Sequence, residues 1–273
     1  MIRLSRRALL TRFRSSRFFL FAALALALGG CATVALPPEP RLPAPAWEAE
    51  KLIESLQQRD RQLRTVRALA QVDYSGPEGK HGFQEAVVIQ RPDHLRLETL
   101  TFLGAILIVT ANEREVAGLH PREGVFVRGP STKDNLRRYT QIPLELEEIT
   151  TLLSGLPPVD AGAAPRLEGN TLVFYADGRK RDAVTFDLQQ PVPSQWERFN
   201  ADGAVELTAQ FGNYVSTPAG LFAQHIQFEA NLQKKKVEVR YQEPEINGAV
   251  SAELFSQQKP ASAKEVPIEA VGS

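Results

Sequence analysis

Apolar side chains recur at every second position along most of the chain from residue 66 to residue 243. Ala68, Ala70, Val72 and Tyr74 alternate with Arg67, Gln71 and Asp73. Leu95, Leu97 and Thr99 alternate with Arg96 and Glu98, and Val205, Leu207, Ala209 and Phe211 alternate with Glu206, Thr208 and Gln210. Val237, Val239 and Tyr241 repeat the pattern against Glu238, Arg240 and Gln242. Successive side chains of a strand point to opposite faces, so each run buries one face and wets the other, as antiparallel meanders do. Turn signals separate the runs: Gly76-Pro77-Glu78-Gly79, Arg91-Pro92-Asp93, Asp177-Gly178 and Asp202-Gly203. About eleven strands are expected in this stretch.

A long sheet with one apolar face needs a cover, and two stretches have helical period. Residues 46–64 place Leu52, Ile53, Leu56 and Leu63 near one face, with Val66 just beyond and Glu48, Glu50 and Glu54 towards the positive end of the dipole. Residues 132–155 read as two short helices. The first carries Leu136 and Tyr139. The second is expected to start at Pro143, to align Ile149, Leu152 and Leu153, and to stop at Gly155. The fold class expected is mainly β with α: a curved antiparallel sheet, a half-barrel, under a helical lid built from Leu136, Tyr139, Ile149, Leu152 and Leu153. Residues 250–273, rich in Ala, Ser, Gln and Pro, read as a loosely held tail.

The first thirty residues differ in kind. They hold six arginines and no acid, followed by an apolar run of 11 residues, Phe18–Leu28. A membrane-spanning helix needs about 20, whereas a basic flank, a short apolar stretch and small residues suit a secretory signal over residues 1–30. Leu28-Gly29-Gly30-Cys31 resembles the bacterial lipobox, whose cysteine is lipidated and becomes the mature N-terminus. Ser5-Arg6-Arg7 also resembles a twin-arginine signal, so the export route stays open. Residues 31–45 contain five prolines and read as a semi-rigid spacer, leaving 46–249 as the folded domain.

Composition excludes several function classes. Cys31 is the single cysteine, so no internal disulfide and no cysteine-based zinc site can form. Beyond the leader, 26 basic side chains face 32 acidic ones, a poor balance for nucleic-acid binding. His81, His94, His120 and His225 lie far apart without metal-ligand spacing, and no nucleophile elbow, Walker loop or dinucleotide fingerprint occurs. Ser131-Thr132-Lys133-Asp134 brings a hydroxyl near a lysine, but its plainer use is to cap the following helix. The expectation is therefore no catalytic residues, no metal and no cofactor. One apolar feature stands apart: Phe102 and Leu103 precede Gly104 between two runs of strand period. Either they sit on an exposed turn, or the whole segment is buried strand.

The order of these parts resembles LolB-like outer-membrane lipoproteins of the LolA/LolB superfamily. Phe102-Leu103-Gly104 occupies the place of the family's Pro-Leu-Gly loop, with Phe102 where the family has proline. Ile142-Pro143-Leu144 and then Leu153-Ser154-Gly155-Leu156-Pro157 follow in family order, and Lys234-Lys235-Lys236-Val237 begins the final strand. The resemblance implies an outer-membrane lipoprotein, lipid-anchored at Cys31 and facing the periplasm, that works as a monomer. It would accept the acyl chains of lipoprotein cargo from a periplasmic LolA-like carrier and insert them into outer-membrane lipid, with Leu103 as the protruding residue. A lipid-binding or envelope-sensing lipoprotein on the same scaffold is the alternative.

Overall fold

The computed structural model describes residues 47–160 and 164–270. The expected signal, the lipidated Cys31 and the spacer to residue 45 lie outside them. One sheet of fourteen strands organises the described chain: β1 (Thr65–Gly76), β2 (Gly79–Gln90), β3 (His94–Thr101), β4 (Gly104–Ala111), β5 (Glu115–His120), β6 (Val125–Pro130), β7 (Arg166–Glu168), β8 (Thr171–Ala176), β9 (Arg179–Phe186), β10 (Pro193–Phe199), β11 (Val205–Thr217), β12 (Gly220–Ala230), β13 (Lys235–Ile246) and β14 (Lys264–Pro267). The spatial order is β14-β6-β5-β4-β3-β2-β1-β13-β12-β11-β10-β9-β8-β7. Two antiparallel meanders, β1 to β6 and β7 to β13, are thus joined where the first strand pairs with the thirteenth, Val72 opposite Val239. Among the described residues three α-helices accompany the sheet: α1 (Ala49–Gln62), α2 (Lys133–Thr140) and α3 (Leu146–Leu153).

The alternation places the inward faces as expected. Val66, Ala68, Ala70 and Val72 are buried on β1, and Leu207, Ala209 and Phe211 on β11. The strand count is a correction: thirteen strands stand where about eleven were expected, and β14 adds a fourteenth from the C-terminal segment. A three-residue strand such as β7 leaves no room for a visible period.

The chain leaves β6 at one side of the sheet and resumes with β7 at the other, and α2 and α3 occupy the crossing between them. Their buried residues join α1 and both meanders in one core cluster. Thr132 caps α2, its Oγ1 accepting from Asn135 N at 3.4 Å. α3 begins three residues later than the proline rule suggests. A reciprocal cap decides its start: Glu145 N donates to Glu148 Oε2 at 3.1 Å while the Glu145 side chain accepts from the Glu148 backbone. Gly155 ends it in the left-handed region, φ 74°.

The expected loose tail is also corrected. Residues 252–255 form a 3-10 turn with Phe255 buried, β14 pairs in parallel with β6, and Ile268 is buried in the main core. Two large apolar side chains and four ladder residues suffice to seat a segment whose composition has no period.

Candidate functional site

Sheet topology decides which loops meet. The β3–β4, β1–β2 and β12–β13 hairpins are neighbours, and their tips all lie at the same end of the strands. Thr101 pairs with Gly104, which leaves Phe102 and Leu103 as a two-residue tip. Gly104 has φ 100°, a conformation L side chains avoid. Leu103 N donates to Thr101 Oγ1 at 3.3 Å and Arg122 Nη2 donates to the same oxygen at 2.8 Å, so the tip is a defined turn. Phe102 is 95% exposed and Leu103 69%, so the turn reading holds and the buried-strand reading fails. Leu232, on the β12–β13 tip, is 64% exposed and is followed by Lys234, Lys235 and Lys236. Among the described residues Leu188 is an exposed large hydrophobe at the opposite end, in the β9–β10 connection.

A cavity of about 370 Å³ lies between these hairpins and the crossing segment. Its sheet wall comprises Val72, Phe83, Val87, Leu97, Val237 and Val239, and its cover Tyr139, Ile142 and Leu153. The volume falls within the range of small-ligand pockets, and the lining is predominantly apolar. Larger indentations exist but are polar, such as one of about 530 Å³ beside Arg137, Gln233 and Lys235. Glu85 also lines the apolar cavity, although no expectation from sequence singled it out. The signal available was a charged residue at an inward position of the run Phe83, Glu85, Val87, Ile89.

Polar groups bridge the mouth. Lys235 Nζ donates to Gln141 Oε1 at 2.9 Å and pairs with Glu78 Oε1 at 3.2 Å. Tyr74 Oη donates to Glu78 Oε2 at 2.5 Å, and its ring stacks on His81 with centroids 6.3 Å apart. The Tyr74 hydrogen bond, with help from Lys235, holds the Glu78 carboxyl down at about 2. This bridge connects the β1–β2 hairpin, the start of β13 and the left-handed residue Gln141 that ends α2.

The residues expected in a lid divide into two groups. Ile149, Leu152 and Leu153 on α3 are buried core, and that helix is tied down on several sides. Arg198 Nη1 meets Glu148 Oε1 at 2.5 Å, while Arg198 Nε and Trp196 Nε1 both donate to Asp182 Oδ1 at 3.0 Å. Tyr241 Oη donates to Leu153 O at 2.7 Å, and Arg91 bridges Asp60 of α1 and Thr151 of α3. α2 is held differently. Leu136 is buried, but the Tyr139 hydroxyl is buried with no hydrogen-bond partner among the described residues. Burial pushes that phenol up to about 12. Its ring lies over Gly118, where an added Cβ would come within 2.4 Å of Oη. An orphaned buried hydroxyl costs about 1–3 kcal/mol, and the Ser154 hydroxyl at the end of α3 is another.

Of the scattered histidines, His94 gains acidic neighbours. Its Nδ1 lies 2.8 Å from Asp93 and its Nε2 3.8 Å from Glu113, while the ring packs edge-on against Phe255 at 5.2 Å. One ligand atom each from Asp93, His94 and Glu113 lies within 4.8 Å of the others, close enough for the three to share a cation, a grouping that the sequence spacing of the histidines did not signal. Among the described residues no helix is long and apolar enough to cross a membrane.

By sequence, the chain matches no family profile and no curated relative. Its fold does match solved structures. A DUF1329 family protein from Desulfovibrio piger aligns with TM-score 0.56 and 9% identity, over 76% of this chain and 96% of that one. A LolA superfamily protein from Nitrosomonas europaea aligns with TM-score 0.50 and 11% identity, over 78% and 99%. A domain described as an outer membrane lipoprotein-sorting protein, from Vibrio parahaemolyticus, aligns with TM-score 0.50 and 12% identity, over 76% and 97%. The shared feature is the fold: an open, curled, antiparallel-rich sheet.

Proposed function

We propose that this chain is a lipid-anchored envelope protein that shelters acyl chains in the cavity beneath the end of α2, Gln141 and Ile142. It would deliver them to a bilayer met by the Phe102–Leu103 hairpin. The observation that carries this reading is the apolar cavity of about 370 Å³ opening at the same end of the sheet as that hairpin. Each sheltered methylene contributes about 0.8 kcal/mol, offset in part by the freedom lost on binding. The bilayer solvates the same chains, so transfer into it runs downhill without a nucleotide. Leu232 and the lysines beside it suit a second contact with an anionic lipid surface.

In its fuller form the proposal is a LolB-type cycle. A periplasmic LolA-like carrier hands over a lipoprotein, α2 gives way, and the cargo enters the outer membrane, with Cys31 acylated as the anchor and no catalytic step. The fold shared with the Nitrosomonas and Vibrio proteins supports it. The many ties on α3 favour a second reading, a module that holds or senses lipid without inserting cargo. Mixing the purified protein with a carrier–lipoprotein complex and liposomes separates the two. Cargo appearing in the liposomes supports insertion, and cargo remaining on the carrier while native mass spectrometry still detects bound lipid supports the second reading. Absence of lipid from this protein under both conditions refutes both.

A further inference from the structure

One carboxylate interrupts the apolar wall, and strand register puts it there. Phe83, Glu85, Val87 and Ile89 on β2 stand opposite Val72, Ala70, Ala68 and Val66 on β1, the inward face of the sheet. Across β3 the partner of Glu85 is Thr99, and beyond Ala70 on β13 lies Tyr241. Thr99 Oγ1 donates to Glu85 Oε1 at 3.1 Å. Among the described residues no arginine or lysine pairs with it, and the part of Glu85 not covered by protein opens into the cavity. Glu85 stands four residues inside His81 at the mouth, roughly 13 Å along the strand.

The groups around it supply no positive charge. Tyr241 is engaged with Leu153 O, Tyr139 is neutral, and Lys235 is held at the mouth by Glu78 and Gln141. A carboxylate in apolar surroundings without a cation is costly, and burial pushes Glu85 up to about 7. An ammonium nitrogen brought in by a ligand would supply charge-assisted hydrogen bonds to the free part of the carboxylate. A ligand carboxylate or phosphate at the same depth would set like charges together.

We infer that the cavity takes an amphiphile whose apolar chain carries an ammonium group, seated on Glu85 in the sheet wall between Phe83 and Val87. The inference rests on the acyl-chain reading above and narrows it by headgroup. Sign of charge then determines selection: amine first, neutral alcohol next, fatty acid last.

The test uses the full chain at pH 8, with the neutral dye N-phenyl-1-naphthylamine displaced by dodecylamine, dodecanol or dodecanoate below their aggregation thresholds. Dodecylamine should displace the dye at a concentration about tenfold lower than dodecanol, with dodecanoate weakest. Glu85→Gln and Glu85→Leu, each checked by thermal melting, should abolish the preference for amine over alcohol. Equal displacement by amine and alcohol in the native chain overturns the inference, as does an amine preference that survives both substitutions. If dodecanol and dodecanoate displace the dye but the amine is no better, the headgroup inference falls while the chain cavity stands. If the dye does not bind and none of the three ligands registers by calorimetry, the cavity reading falls with it.

Discussion

Replacing Glu85 with glutamine should stabilise the protein at high pH and leave it unchanged at low pH. In the folded chain burial raises this carboxyl from 4.5 to about 7. Between those values the native state holds a proton that the unfolded chain has released, so native stability falls as pH rises through that window. Each unit is worth about 1.36 kcal/mol, which puts the loss at about 3 kcal/mol by pH 8. The side chain is only partly covered by protein, so solvent at its open side screens the charge and lowers the figure to about 2 kcal/mol. Glutamine keeps the size and an acceptor for Thr99 but carries no charge. Urea denaturation of both chains at pH 4.5, 6, 7 and 8 isolates the effect, because other titrating groups cancel in the difference. The two midpoints should coincide at pH 4.5 and separate progressively in favour of the variant, with equal slopes against urea. A separation that does not change with pH, or a variant less stable than the native chain at pH 8, would refute the reasoning.

Other substitutions test the remaining parts of the argument. Leu103→Glu should leave the melting temperature within a degree or two, since the side chain is 69% exposed, yet reduce delivery of cargo to liposomes. Marked unfolding would show that the tip contributes to the core. Arg198→Ala removes the cation beside Asp182, whose side chain is only 4% exposed, and should cost about 3–5 kcal/mol in chemical denaturation. A loss below about 1 kcal/mol would mean that the triad does not hold α3 to the sheet. Phe255→Ala should cost about 3–5 kcal/mol, because the ring is 1% exposed. Indifference to that change would return residues 250–270 to the loose tail their composition suggests.

Much of the scaffold was legible because alternation is a local property. On β1, β3, β11 and β13 the sequence period alone separates inward from outward residues. The Thr101–Gly104 tip was legible for a similar reason: a glycine between two such runs marks where the direction reverses. Thr132 and Gly155 carry the expected cap chemistry at the helix ends. The start of α3 was misplaced because proline at 143 is compatible with a first turn, whereas the reciprocal Glu145–Glu148 cap competes for that role and prevails. The seating of residues 250–270 was not legible. It depends on two isolated apolar residues, Phe255 and Ile268, finding partners more than a hundred positions away.

The candidate site divides along the same line. The chain's local chemistry marked Phe102 and Leu103 as a potential tip and α2 and α3 as helices with an apolar face, since each needs only neighbours within a few residues. The cavity needs Val72 opposite Val239, a pairing between the first strand and the thirteenth, and a crossing segment that spans from β6 to β7. Glu85 gains its character the same way. As a residue in a strand it is an ordinary acid at an inward position. Its neutral surroundings arise from β1, β3, β13 and the helices together, because desolvation depends on everything packed around a charge. Strand faces and turns were thus determined by order along the chain, and the hollow with its buried Glu85 only by packing across it.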